Sequence, residues 1–246
     1  MRQFGLIGYP LSHSFSKKFF AEKFAAEKLD NCAYDNYPIA EIGDITSLVK
    51  GTPFLEGLNV TIPYKEQVIP FLSDQSAVVK ETGACNCIKI EDGKLYGHNT
   101  DVTGFELSLI THLAPHHSQA LILGTGGAAK AVEYVLRKLG IHYRYVSRNP
   151  TPGNLSYAAV TPGIMTDYTL IINTTPLGMY PDTDSLPLLP YESLSTRHYL
   201  FDLVYNPATT RFLSKGEQQG AVIKNGAGML LIQAEESWKI WNGLTA

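Results

Sequence analysis

With 246 residues the chain is long enough for one large domain or two modest ones, and its 44% hydrophobic content excludes a disordered polypeptide. A net charge of −3 leaves no footprint for nucleic acid, and no apolar run reaches the ~20 residues of a membrane span. Residues 1–8 are too short and too quickly broken by Gly and Pro for a signal peptide, and three cysteines at no metal-ligand spacing point to reduced thiols, no metal and a cytoplasmic location.

The first half alternates strands and helices. Residues 4–8 form a strand, followed by a loop, Tyr9-Pro10-Leu11-Ser12-His13-Ser14, rich in turn and hydroxyl residues. Phe15, Phe19, Phe20, Phe24 and Leu29 mark the apolar side of a helix that Ser14 or Ser16 can cap, and Ser12 and Ser14 are either one cap and one loop serine or ligands for a polar group. A second strand covers 34–37 and a short helix carries Ile42, Ile45, Leu48 and Val49 up to Gly51. The third strand, 58–63, has polar residues at its exit, where open α/β sheets bind ligands: Asn59, Thr61 and, just beyond, Lys65.

Short helical pieces at 68–72 and 77–80 precede a hairpin of 84–90 and 95–98 around Asp92-Gly93, a strong turn signal. Asn86 sits in the first arm, where its amide either ties two strands or meets a ligand. Cys85 and Cys87 flank it and are expected on opposite faces. A helix over 102–113 follows, with Asp101 placed to cap it. His112, His116 and His117 read as a solvated connector.

The second half is built around 120–139. An apolar strand, 120–123, runs straight into Gly124, Thr125, Gly126, Gly127 and Ala128, and Ala128, Val132, Val135, Leu136 and Leu139 keep helical spacing up to Gly140. Strand, glycine turn and helix N-terminus make a cradle of free N–H groups at the positive end of the helix dipole, so a dinucleotide is the leading ligand. The third glycine of the usual dinucleotide fingerprint is replaced. After the next strand, 143–146, the acid that would bind a ribose diol is missing; Ser147 and Arg148 suit a 2′-phosphate instead, which favours NADP.

Strands at 170–173, 198–204 and 221–224 and helices at 209–219 and 227–241 complete the chain. Gln233 interrupts the otherwise apolar positions Leu230, Leu231, Ala234, Trp238 and Trp241. The pattern is α/β throughout. It implies a substrate-binding domain over 1–103, with 226–246 packing back on it, and a Rossmann-like dinucleotide-binding domain over 104–225.

Eight segments together resemble the shikimate dehydrogenase family, in its order and near its spacing: Gly8-Tyr-Pro-Leu-Ser12-His-Ser14, Asn59-Val-Thr61-Ile-Pro-Tyr-Lys65, Gly83-Ala-Cys-Asn86, Asn99-Thr-Asp101, Gly124-Thr-Gly-Gly-Ala128, Asn173-Thr-Thr-Pro-Leu-Gly-Met179, Asp202-Leu-Val-Tyr205-Asn-Pro and Gly226-Ala-Gly-Met-Leu-Leu-Ile-Gln233. The resemblance covers nearly the whole chain. It implies NADPH-dependent, reversible reduction of 3-dehydroshikimate to shikimate on the route to aromatic amino acids. It assigns Lys65 and Asp101 to the reacting oxygen, and Ser12, Ser14, Asn59, Thr61, Asn86, Tyr205 and Gln233 to the substrate's carboxylate and hydroxyls. It places Leu203 and Gly226 at the nicotinamide and Arg148 at the 2′-phosphate. Where relatives have Asn-Arg-Thr, often with another arginine, this chain has Ser147-Arg148-Asn149 and no second arginine, and the helix expected there is shortened to a loop; a modest NADP preference follows. The alternatives are a quinate or dual quinate/shikimate dehydrogenase using NAD or NADP, and a non-catalytic sensor. A monomer or homodimer, with a small-molecule substrate and neither nucleic acid nor membrane as partner, is expected.

Overall fold

The computed structural model describes residues 1–11 and 15–244, and the chain divides into two compact units, Met1–Thr100 with Gln233–Ala246, and Asp101–Ile232. The expected α/β architecture is present in both. Among the described residues no helix is long and apolar enough to cross a membrane.

The first unit holds strands β1 (Arg2–Gly8), β2 (Cys32–Pro38), β3 (Leu55–Val60), β4 (Asp74–Gln75), β5 (Cys87–Glu91) and β6 (Lys94–His98). They form one sheet in the order β2-β1-β3-β5-β6-β4. β1 pairs in parallel with β2 and β3, whereas β5 runs antiparallel to β3 and β6. The hairpin is made by Asp92 and Gly93, both at positive φ (50° and 72°), as a two-residue turn matched to strand twist requires. This topology gathers the carboxyl ends of β1, β3 and β6 and the amino end of β5 at one edge. Helices α1 (Phe15–Ala26), α2 (Ile45–Gly51), α3 (Tyr64–Gln67) and α4 (Ala77–Thr82) join the strands.

One face of this sheet carries an aromatic core. Phe4 stacks on Trp241 with ring centroids 4.9 Å apart and Phe20 stacks on Tyr34 at 4.6 Å, with Phe24 and Trp238 packed beside them. Burying each such ring contributes on the order of 2–3 kcal/mol. Gly57 in β3 is the position that admits the indole: a Cβ there would strike Trp241, whose Nε1 donates to the Ile88 carbonyl at 3.0 Å. A second, aliphatic core of Ile7, Leu58, Val60, Val79 and Ile88 forms separately.

The second unit holds β7 (Gln119–Leu123), β8 (His142–Ser147), β9 (Leu155–Ser156), β10 (Leu170–Asn173), β11 (Tyr199–Asp202) and β12 (Val222–Lys224), with α5 (Asp101–Leu109), α6 (Gly127–Lys138), α7 (Pro162–Asp167) and α8 (Arg211–Gln218). The last helix, α9 (Ala227–Trp241), starts in this unit and ends in the first. All pairings here are parallel, in the order β12-β11-β10-β7-β8-β9. The chain winds from β7 one way to β9, then returns to the other side of β7, so the end of β7 is the switch point where doubly wound sheets bind ligands.

Several sequence expectations are corrected. The third strand ends at Val60, so Thr61 and Pro63 lie outside it and Lys65 lies in the four-residue α3. Asn86 precedes β5 rather than sitting within it. Cys85 and Cys87 enter different cores as expected, but for another reason: the strand begins only at Cys87, whereas two residues apart within a regular strand would share a face. His117 is not solvated: it is 4% exposed, its Nδ1 accepts from Ala114 N–H at 3.0 Å, and its other nitrogen meets the Arg197 carbonyl at 3.1 Å. Leu231, counted with the apolar side of the last helix, is 47% exposed.

Candidate active site

In the first unit the sheet edge described above collects Asn59, Thr61, Lys65 and Asn86 of the expected substrate residues. The loop after β1 rests directly on the exit of β3. Thr61 N–H donates to the Ile7 carbonyl at 3.0 Å and Tyr9 N–H to that of Ile62 at 3.2 Å. Any Cβ at Gly8 would meet the Thr61 methyl at 2.5 Å, so this close approach needs glycine. Ser12 and Ser14 lie outside the described residues. Lys65 is half-buried, and its carbonyl accepts from Cys85 N–H at 2.7 Å, which fixes α3 to the segment leading into Asn86.

Asn59, Asn86 and Gln233 are all buried, with exposures of 4%, 3% and 6%. Asn59 Oδ1 accepts from the Tyr34 hydroxyl at 2.8 Å, while its Nδ2 donates to Ser237 Oγ at 2.9 Å and to the Asn86 carbonyl at 3.4 Å. Asn86 Oδ1 accepts from Thr100 N–H at 2.7 Å, and Thr100 Oγ1 lies 3.5 Å from Gln233 Oε1 and 3.4 Å from Ser237 Oγ. Three of the expected site amides therefore belong to one buried network. Asn99, 8% exposed, braces it by donating to the Ala84 carbonyl at 3.0 Å. Sequence reading missed Tyr34, Thr100 and Ser237 here. The one available signal was Ser237 four residues after Gln233, on the same side of a helix.

In the second unit, Asp101 is buried as the first residue of α5. Gly124 leaves β7 at φ +100°, and a Cβ there would lie 2.9 Å from Thr174 Oγ1 and from the Thr175 methyl. Thr174 Oγ1 in turn donates to the Leu123 carbonyl at 2.6 Å. Gly126 is the N-cap of α6 and supplies no side-chain hydrogen bond, and the space where its Cβ would stand is open. The first N–H groups of α6 are left for an anion. Thr125 is exposed, and Gly127 and Ala128 are half-buried in the first turn.

Strand register brings Ser147 beside this turn, since Leu123 pairs with Val146 and Gly124 N–H donates to the Val146 carbonyl at 2.9 Å. Ser147 Oγ accepts from Asn149 N–H at 3.3 Å, leaving its proton free to donate, and Arg148 is exposed. Between β8 and β9 there is no α-helix, in keeping with the shortened segment read from the sequence. These features fit a dinucleotide with a 2′-phosphate: a glycine-rich cradle at the switch point, with a hydroxyl and a guanidinium on the adjacent strand end.

Leu203 and Gly226 meet at the next strand ends. A Cβ on Gly226 would collide with the Leu203 carbonyl, and Gly226 N–H donates to the Val204 carbonyl at 3.1 Å. Behind them lies Asp202, fully buried, a residue without an assigned role in the sequence reading. Its carboxylate accepts from Thr210 Oγ1 at 2.6 Å, Val204 N–H at 3.0 Å and Asn173 Nδ2 at 3.0 Å. Burial raises its carboxyl to about 6, against the three hydrogen bonds. Tyr205, 36% exposed, follows, and its phenol is raised by burial.

Residues 6–88 match the family described as the shikimate dehydrogenase substrate binding domain. The NADP(+) shikimate dehydrogenase of Carboxydothermus hydrogenoformans is 35% identical over 98% of this chain and 91% of its own. The shikimate dehydrogenase of Thermus thermophilus, solved in complex with NADP(H) and shikimate, superposes with a TM-score of 0.86 at 29% identity, covering 99% of this chain and 94% of that one. A 5-ketofructose reductase from a Gluconobacter species shares the scaffold with a TM-score of 0.82 at 28% identity, covering 98% and 93%. Identity of 35% over 98% of this chain and 91% of that relative means that the chain belongs to the shikimate dehydrogenase family.

Proposed function

We propose that this chain catalyses the reversible, NADPH-dependent reduction of 3-dehydroshikimate to shikimate. The observation that carries the reading is the buried network that joins Asn59, Asn86 and Gln233, three amides suited to a small polyhydroxy acid, within one unit. We assign substrate binding to Met1–Thr100 with Gln233–Ala246 and cofactor binding to Asp101–Ile232. In this reading Ser12, Ser14, Asn59, Thr61, Asn86, Tyr205 and Gln233 hold the carboxylate and hydroxyls. Gly124, Thr125, Gly126, Gly127, Ala128, Ser147 and Arg148 hold the phosphates, and Leu203 and Gly226 line the nicotinamide.

NADPH, when bound, supplies the hydride. The protein's part concerns the carbonyl oxygen, where negative charge builds as the ketone is reduced. The Lys65 ammonium stabilises that charge and delivers the proton, and takes it back in the oxidative direction. Asp101 binds the hydroxyl beside the reacting carbon. A cytoplasmic location suits Cys32, Cys85 and Cys87, all of them free. The test is a spectrophotometric assay of shikimate and quinate against NADP and NAD. Shikimate with NADP is expected to give the highest kcat/KM. No oxidation of either acid would refute the reading, and a higher kcat/KM for quinate would replace its substrate.

A further inference from the structure

We propose that Ser237 and Tyr34 are positioning residues that lock the Asn59 amide in one orientation, a role that rests on the shikimate dehydrogenase reading above. The hydrogen bonds have a forced direction. Ser237 Oγ donates its only proton to the Gln233 carbonyl one helical turn back, at 2.8 Å. Towards Asn59 it can therefore only accept, which turns the Asn59 NH2 group to Ser237 at 2.9 Å and its Oδ1 to the Tyr34 hydroxyl at 2.8 Å. Burial raises the Tyr34 phenol well above its ordinary value, so it stays a donor, and a hydrogen bond with Ser16 completes its surroundings. Ser237 has no exposed surface and Tyr34 is 6% exposed, so water cannot replace either partner.

The consequence is that an amide with two possible flips is held in a single one. Ser237 touches the network at three points: Asn59 Nδ2, the Gln233 carbonyl and Thr100 Oγ1. It thus couples the exit of β3 to the last helix. A ligand in this site meets amides that are already oriented, and the ordering cost of binding falls accordingly.

The test uses the full-length chain with Ser237→Ala and Tyr34→Phe, each made alone and together with Asn59→Ala. Each variant is read by its melting temperature and by steady-state kinetics. Ser237→Ala is expected to raise KM for shikimate roughly tenfold, to leave KM for NADP within about twofold, and to add almost nothing on the Asn59→Ala background. Tyr34→Phe should show the same pattern to a smaller degree, and it carries the test if Ser237→Ala does not fold. An unchanged KM for shikimate, equal losses in both KM values, or effects that add in full to those of Asn59→Ala would overturn the proposal. A wild-type chain that oxidises no shikimate refutes the reaction itself, and is seen before any variant is assayed.

Discussion

The two units prepare their sites in opposite ways. In the first, three of the expected ligand-binding groups are side-chain amides already bonded to their neighbours, as Asn59 is to Tyr34 and Ser237 and Asn86 to Thr100. In the second, the cradle is mostly backbone, made by what is missing at Gly124, Gly126 and Gly226. A backbone cradle recognises phosphate in any dinucleotide, so on the proposed assignment selectivity falls to Ser147 and Arg148 at the end of β8. A side-chain network reads one arrangement of hydroxyls, and it loses its fit when one member is removed. Substrate specificity should therefore be spread over several residues of the first unit, and cofactor specificity concentrated in one arginine of the second.

The largest effect expected is chemical. Lys65→Ala should lower kcat by roughly a hundredfold or more with a much smaller change in KM, since the proton donor is lost while the amide network remains. Near-normal kcat with weak binding would make Lys65 one more substrate ligand. Next comes Asp202, the exception in the backbone-built unit. Its carboxyl sits near 6 in the fold against an ordinary 3.8. Because the folded value is the higher one, the folded chain holds a proton between pH ~4 and ~6 that the unfolded chain has lost. Stability thus falls as pH rises through that window, by about 3 kcal/mol in all. Asp202→Asn should abolish that slope in urea midpoints measured from pH 4 to 7. Parallel curves for the two proteins would show that its three donors cancel the cost of burial.

The cradle itself comes third. Gly124→Ala must place a Cβ at φ +100° and 2.9 Å from Thr174 and Thr175, a strain of about 1–3 kcal/mol. NADPH affinity should fall about tenfold or more while KM for shikimate barely moves. A comparable loss for shikimate would mean that the two sites are not independently built. The smallest effect is expected at Arg148. Its loss should raise KM for NADPH about tenfold, the lower end for one charge-assisted bond of ~1.5 kcal/mol, and leave NADH use unchanged. Equal losses with both cofactors would show that Arg148 holds its loop rather than the phosphate.

The same contrast separates what could be read from the chain from what could not. The apolar run 120–123, the glycines after it and the helical spacing beyond are local, and they appear as β7, the turn at Gly124 and α6. The Asp92-Gly93 hairpin is equally local, because two residues at positive φ decide it. The two-residue strands β4 and β9 carry no periodicity of their own, and exist because β6 and β8 offer an edge to pair with. The bond between Asn59 and Ser237, partners 178 positions apart, is likewise invisible to spacing. Backbone preferences are set by a residue and its near neighbours, so the sequence alone determines the turn and the helix. Whether an amide faces water or another amide depends on which distant side chains the fold packs over it, and only the tertiary structure decides that.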